Sequence, residues 1–503
     1  MAVMKNYCSI LIVLLVTHSA FCQTNPVFDG IDTFIDSVMT RWSVPGLALA
    51  VVKDGKIVYK KGYGYRNLKT KEKITPFTLF SIASSTKSFT STAAAILVDE
   101  KKLDFDTPLK EYFPDFQMYD PAATDKLTMR DLLCHRSGTP RQKFFSLNTP
   151  PTRQEVRTSM RYFEPARDFR SLFQYCNETI TVAGDMIAER AGIPWEELIR
   201  TRIFEPVGMK HSIFSVRDVV KTPDYALPYI DWEEGKPEEM EFHNADILGP
   251  AGCMISNVED LSKWVLFNLN KGKVDDKQIV SSQNLARLQS PQIPVSQRMK
   301  YPEVFYQSYG MGWFIDAYRG NLHVHHGGVL YGFTSQVSFL PTANIGVVLL
   351  ANLNGTPATE VIEYYIYDKL LGLEPVDWQK RKLDELAQMK VQYEKTKDEK
   401  DPDFNPESPL TSPLNNFTGT YISNGYGSMT IQKEGDSLHT VLLGIRCPLR
   451  HYNNETFDIY HPVEHQGWRI TFQQNSPDGV SAFTLQLGIP GVKDILYTKR
   501  KDG

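Results

Sequence analysis

The stretch "SIASSTKSFTSTAAAILVDEKKL", Ser81–Leu103, packs five serines and one early lysine into what reads as the start of a helix. Serine and threonine are common helix caps, and a lone lysine is often only a solvated charge. Spacing singles out one pair. Ser84 and Lys87 are three residues apart, which on a helix puts both side chains on one face, about one turn apart. No other Ser-x-x-Lys occurs in the chain. A serine hydroxyl is a weak nucleophile and needs a base within hydrogen-bond reach. A desolvated lysine can lose its proton near neutral pH and serve as that base. Ser81, Ser85, Ser88 and Ser91 lack a lysine at that spacing and read as caps or helix packing.

Working outward, "GLALAVVKDGKIVYKKGYGYRNL" predicts two strands joined by a turn at Asp54-Gly55. The middle of the chain, roughly 129–267, is mostly helical, with "ETITVAGDMIAERAG" as a clear amphipathic segment stopped by Gly192. "TSQVSFLPTANIGVVLLANL" predicts a second hairpin, and "PATEVIEYYIYDKLLG" returns as a helix whose aromatics form a packed face. Strands at both ends with helices between imply one antiparallel sheet assembled from distant parts of the chain. After Gly372 the character changes. "DWQKRKLDELAQMKVQYEKTKDEKDPDF" predicts a solvated helix running into a linker, and "NPESPLTSPLNN" marks a boundary. From Phe417 onward about eight short alternating segments have the spacing of a small sandwich or barrel.

The chain has 503 residues, enough for two or three domains, with 42% hydrophobic and 23% charged residues and a net charge of −4. Nothing in this balance points to a nucleic-acid surface or a polybasic membrane patch. "MAVMKNYCSILIVLLVTHSAFCQ" reads as an export signal: Lys5 supplies the positive end, Ile10–Val16 a short apolar core, and Ala20-Phe21-Cys22 a cleavage site, so the mature chain starts near Gln23. Lipidation at Cys22 is the alternative, which bulky Phe21 fits poorly. No later apolar run is long enough for a membrane helix. Four cysteines remain beyond the signal, at wide spacing and without CxxC, which excludes a disulfide scaffold and a zinc ribbon.

Two further patterns carry chemistry. In "FQYCNETITVAG", Tyr175 beside a lysine can act as general base or acid, and Asn177 can orient a substrate amide. Tyr65-x-Asn67 and Tyr452-x-Asn454 match equally well, but only Tyr175 sits in a turn before a helix. In "HHGGVLYGFTSQVSFLP", His326-Gly327-Gly328 leads into an edge strand where glycines let the backbone approach a substrate closely. An N–H of that strand can pair with the Ser84 N–H to bind an oxyanion. His135 reads as structural, and Cys176 points away from its neighbours. His323 and His325 share a strand face opposite His326. With no HExxH and no carboxylate at ligand spacing, no metal and no cofactor is expected.

"ASSTK", "YCN" and "HGG", in that order, resemble the serine β-lactamase and penicillin-binding-protein superfamily, most closely its class C and esterase branch. "LTMRDLLCHRSGTP", "IFEPVGM", "GPAGCMISNVEDLSKWV" and "YGMGWFI" also resemble family segments. The resemblance covers roughly residues 28–372. The C-terminal part resembles, more loosely, a small lipocalin-like β-barrel domain of unknown function. The implied fold is α/β (α+β), β-lactamase/transpeptidase-like: an antiparallel sheet flanked by helices, a helical subdomain, and a C-terminal all-β barrel or sandwich. The implied organisation is a signal peptide at 1–22, a hydrolase domain at 23–373, a charged helix and linker at 374–413, and a β domain at 414–503.

Carried over by position, Ser84 is the acylated nucleophile and Lys87 its base or proton relay. Tyr175 activates water or protonates the leaving group, and Asn177 holds the substrate. The N–H groups of Ser84 and Val329 form the oxyanion hole, next to Gly327 and Gly328. His326 takes the place of the family's strand lysine. That is a departure, because histidine is mostly neutral at pH 7 and attracts a substrate carboxylate less than lysine does. The resemblance implies a secreted or periplasmic serine hydrolase cleaving an ester or amide (peptide or β-lactam-like) through a Ser84 acyl-enzyme. The alternatives are a true β-lactamase or D-Ala-D-Ala-type peptidase, and a catalytically silent binding protein on the same fold. The expected partner is a small-molecule or peptide substrate, and the sequence leaves the oligomeric state open.

Overall fold

The structure is a computed structural model that describes residues 26–142, 152–231, 235–295, 301–397, 401–442, 444–461, 466–474, 479–490 and 492–500. The expected export signal and the start at Gln23 lie outside the described residues.

Helix α1 (Ile31–Arg41) leads into strands β1 (Gly46–Lys53) and β2 (Lys56–Asn67), joined by the turn at Asp54-Gly55, with Gly55 at φ 75°. A short strand β3 (Glu72–Lys73) follows, then helices α2 (Lys87–Asp99), α3 (Asn177–Ala191) and α4 (Val258–Leu269). The chain then returns through β4 (Ile293–Pro294), β5 (Val304–Tyr309), β6 (Phe314–Tyr318), β7 (Asn321–Leu330), β8 (Phe333–Leu340) and β9 (Ile345–Ala351). All nine strands form one antiparallel sheet in the order β4-β5-β6-β7-β8-β9-β1-β2-β3. The N-terminal hairpin is therefore hydrogen-bonded to β9, with Ala50 opposite Val348.

Near-continuous apolar runs in β1 and β9 reflect burial on both sides of this sheet. Ala48, Ala50 and Val52 join a core with Trp264 and Val265 of α4, while Leu47, Leu49 and Val51 join one with Ile35 and Val38 of α1. Helix α5 (Ala358–Leu371) completes that second core with Val361, Ile362 and Tyr367, and ends at Gly372 in the left-handed conformation. Helix α3 likewise ends at left-handed Gly192, a backbone setting that glycine adopts without strain.

The charged segment after Gly372 departs from expectation. It forms helix α6 (Trp378–Lys397), but its first turns are docked rather than solvated. Trp378 is buried against Tyr364 (ring centroids 4.6 Å) and donates to Asp368. Arg381 pairs with Glu303 at 2.7 Å and Lys382 with Glu360 at 2.8 Å. One aromatic anchor outweighs a polar average when it fills a pocket between helices.

Strands β10 (Gly419–Ser423), β11 (Gly427–Glu434), β12 (Ser437–Leu442), β13 (Ile445–Asn453), β14 (Thr456–His461), β15 (Gln466–Gln473), β16 (Ala482–Leu485) and β17 (Ile495–Lys499) form a closed antiparallel barrel. Closure comes from Tyr421 opposite Lys499, and alternate residues such as Ile431, Leu449, Ile459, Ile470 and Phe483 fill the interior. The barrel meets the sheet-and-helix domain where Phe163 packs on Tyr426 (5.2 Å) and the Lys493 N–H donates to Glu164 (2.9 Å). The four cysteines Cys134, Cys176, Cys253 and Cys447 are buried and unpaired with one another. Among the described residues no helix is long and apolar enough to cross a membrane.

Trp378→Ala is expected to lower stability by about 3–5 kcal/mol, the range for deleting a buried aromatic. Denaturant unfolding measures the loss, and limited proteolysis should show α6 as the new first point of cleavage.

Candidate active site

Ser84 does not lie in the helix proper but in a 3₁₀ turn, Ala83–Thr86, that feeds directly into α2. The turn keeps the spacing that matters, since Lys87 is still one turn on. Ala83 is held at φ 46°, an uncommon setting for a residue with a side chain. The turn is fixed from several sides. Phe80–Ser81 pairs with Ile255–Ser256, the Ile82 N–H donates to the Met254 carbonyl (2.9 Å), and Ser335 on β8 donates to the Ile82 carbonyl (2.7 Å).

Lys87 is fully buried. Its Nζ is hydrogen-bonded to Ser84 Oγ at 3.0 Å and to the Ala251 carbonyl at 2.7 Å, and lies 4.9 Å from the centre of the Tyr175 ring. No carboxylate forms an ion pair with it among the described residues. Burial, aided by the nearby Arg141 charge, holds its pKa well below the ordinary value, with Glu178 opposing from farther off. Tyr175 reaches in from the loop ahead of α3, and its hydroxyl donates to Ser84 Oγ at 2.9 Å. Burial pushes that phenol up to about 12. The pair is thus an amine whose charged form burial disfavours, beside a phenol that stays protonated at neutral pH.

Of the three Tyr-x-Asn matches, only Tyr175 meets Ser84. Tyr65 sits on β2 under Lys73, and Tyr452 belongs to the barrel. Asn177 opens α3 and is buried, and its side-chain carbonyl lacks a hydrogen-bond partner among the described residues. Cys176 is buried, with Sγ 3.2 Å from Glu178, and burial raises its thiol far above the reactive range. His135 is a support for the tyrosine: its ring packs against Tyr175 at 4.4 Å, tilted by 35°, and Nδ1 accepts the Cys176 N–H at 3.2 Å.

Strand β7 forms the opposite wall. Its register with β6 ends at Phe314 opposite His325, so His326–Leu330 have β8 on one side and the nucleophile turn on the other. Gly328 is required by that approach, because a Cβ there would lie 2.4 Å from the Ile82 carbonyl oxygen. Gly327 and Val329 line the same cleft, and the Val329 side chain is exposed. His326 is buried. Its Nδ1 faces the Gly327 carbonyl at 2.6 Å and so carries the proton, leaving Nε2 to accept from Tyr309 at 3.0 Å. Burial lowers its pKa to about 3, so this ring is neutral.

The cleft, about 710 Å³, runs from Ser84, Tyr175 and Arg141 past His325 and Asp316 to Glu360, Lys382, Glu385 and Met389. Much of that far wall is α6, which the sequence predicts as a solvated helix running into a linker. Arg141, exposed at the near lip, was also missed; it stands in "SGTPRQ" with no partner residue at motif spacing to mark it. The Ala251 carbonyl was missed because a backbone acceptor has no sequence signature. The expectation that no carboxylate accompanies His323 and His325 is corrected: Asp316 on β6 lies directly across from His323.

The beta-lactamase family model matches residues 31–371, and that of a domain of unknown function, DUF3471, matches 405–495. The unguisins hydrolase of Aspergillus campestris is 28% identical over 425 residues, covering 81% of this chain and 78% of the relative. Protein flp of Staphylococcus aureus is 27% identical over 344 residues, covering 68% and 66%. Among solved structures, the octameric penicillin-binding protein homologue from Pyrococcus abyssi has a TM-score of 0.61 at 24% identity, covering 93% of this chain and 99% of that one. The D-amino acid amidase from Ochrobactrum anthropi has a TM-score of 0.57 at 24% identity, covering 69% and 97%.

Gly328→Ala is expected to keep the fold, as read by circular dichroism, and to lower kcat/KM on any turned-over substrate about 100-fold, since displacing the strand from Ser84 by about an ångström misplaces the reacting groups.

Proposed function

The chain belongs to the beta-lactamase family, and on that premise we propose that it is an exported serine hydrolase that cleaves an ester or amide through a Ser84 acyl-enzyme. The observation that carries the reading is the double engagement of Ser84 Oγ, by Lys87 Nζ at 3.0 Å and Tyr175 Oη at 2.9 Å. Neutral Lys87 accepts the Ser84 proton as Oγ attacks the carbonyl carbon. The N–H groups of Ser84 and Val329 hold the oxyanion. Tyr175 protonates the departing amine or alkoxide and recovers its proton from Lys87. Water then enters, gives its proton to the same pair and attacks the acyl carbon, and Ser84 leaves with a proton. Asn177 holds the acyl-side amide. Export rests on the N-terminal sequence pattern.

The length of the cleft supports a substrate larger than a single amino-acid amide, such as a short peptide or an extended acyl ester. The likeness to unguisins hydrolases, which extends over most of this chain, supports the hydrolase reading. A second reading, β-lactamase or D-Ala-D-Ala-type peptidase, loses its strand cation at neutral His326 but gains one at Arg141 on the lip.

The test is turnover of short-chain p-nitrophenyl esters and peptide amides, with intact-mass detection of adducts. Turnover with a Ser84 adduct, both abolished in Ser84→Ala, is the expected result. A slowly cleared penicillin adduct would move the substrate class toward the second reading. Folded protein that neither turns over nor acylates would sink the enzyme reading.

The buried amine gives a pH prediction. Lys87 must be neutral to act, so kcat/KM falls as pH drops through its lowered pKa, and no alkaline fall comes before the phenol titrates near about 12. Between that lowered pKa and the unfolded value of 10.5, folding also strips a proton from Lys87, so its burial costs stability that grows as pH falls below 10.5 and levels off beneath the lowered pKa. Lys87→Met should therefore abolish turnover yet raise the Tm, and the gain should shrink as pH rises toward 10.5.

A further inference from the structure

A second cluster lies in the same cleft, on the strands that carry His326. His323 and His325 project from one face of β7 and stack, ring centroids 4.3 Å apart and planes within 5°. Asp316 sits across from them on β6. One of its oxygens lies 2.9 Å from His323 Nδ1 and the other 3.1 Å from His325 Nε2. The three ligand atoms lie within 4.8 Å of one another. The second nitrogen of His323, Nε2, lies 3.2 Å from Glu363 on α5, and the other Glu363 oxygen accepts from Gln336 at 2.9 Å. A ring nitrogen backed by a fixed carboxylate is how imidazoles are oriented at metal centres.

Charge strengthens the case. The Asp316 and Glu363 side chains are 1% and 0% exposed. Among the described residues neither forms an ion pair with a lysine or arginine. Two buried carboxylates faced by two imidazoles and the Gln336 amide form a polar site whose charge a divalent cation would balance. The donor set, two imidazoles and one carboxylate, suits zinc and its neighbours rather than magnesium or calcium. Asp316 and His325 also line the cleft, so an ion has a path in.

We propose that Asp316, His323 and His325 bind one divalent transition-metal ion of the zinc class, with Glu363 orienting His323 and the remaining coordination position facing the cleft. Binding draws the two ring nitrogens and the carboxylate in to about 2.0–2.2 Å from the ion. The site is independent of the Ser84 reading, since none of its residues contacts Ser84, Lys87 or Tyr175.

The test uses the full chain, stripped with a chelator and dialysed. Zinc chloride is titrated calorimetrically, bound metal is counted by elemental analysis, and cobalt is added to read its visible spectrum. The expected result is one ion per chain with a cobalt spectrum of low coordination number. His325→Gln, at the accessible edge of the cluster, and Glu363→Gln should each weaken zinc binding about 10–100-fold. Folded wild-type protein that takes up neither zinc nor cobalt would overturn the proposal and leave a metal-free ion network. Unchanged stoichiometry and affinity in His325→Gln and Asp316→Asn would overturn it equally, by placing the ion elsewhere.

Discussion

The structure turns on a buried amine that forms no ion pair among the described residues. Lys87 Nζ is held between Ser84 Oγ and the Ala251 carbonyl, with the Tyr175 ring against it. Leaving a lysine there costs folding free energy, and the chain keeps it there by fixing every neighbour. Thr86 accepts the Met254 N–H, Thr90 donates to the Pro250 carbonyl, and Gly184 of α3 lets that helix press on Pro250, where a Cβ would sit 2.1 Å from a ring carbon. The segment 249–254 is thus clamped between α2 and α3, and it in turn holds the amine. The desolvation that weakens the fold is what leaves Lys87 a base.

The second wall is one strand serving two ends of the cleft. Toward its C-terminal end, β7 gives up its partner β6 and brings Gly328 against the nucleophile turn. Toward its N-terminal end it stays paired and carries His323 and His325 against Asp316. His326 lies between, neutral and hydrogen-bonded to Tyr309, so its role is to fix the strand rather than to supply charge. The far wall comes from α6, tied to α5 by Trp378 and Lys382. The cleft therefore gains its length from a segment beyond the nine-stranded sheet.

Much of this was legible in the sequence because it is local. The hairpin at Asp54-Gly55, the helix stops at Gly192 and Gly372, and the Ser84–Lys87 spacing are each set by a few neighbouring residues. Alternation in the C-terminal region indicated strands but could not distinguish sandwich from barrel, because closure depends on β10 meeting β17 across the whole domain. The docking of α6 was hidden by composition: Lys380, Arg381 and Lys382 dominate the average, while one residue, Trp378, decides the packing. Asp316 was invisible as a partner of His323 because the pairing follows from strand register, not from spacing along one strand. Arg141 and the Ala251 carbonyl act by position in space alone.

The central claim is that Lys87 is neutral where Ser84 needs a base. The most direct measurement is a pH titration of the lysine Cε resonances by carbon NMR, with the Lys87 signal assigned by its absence in Lys87→Met. A Lys87 resonance already at the neutral-amine position at pH 7, titrating far below the other lysines, is the result this account predicts. A Lys87 signal that stays at the ammonium position until pH 10 would contradict it, and would shift the role of base to another group.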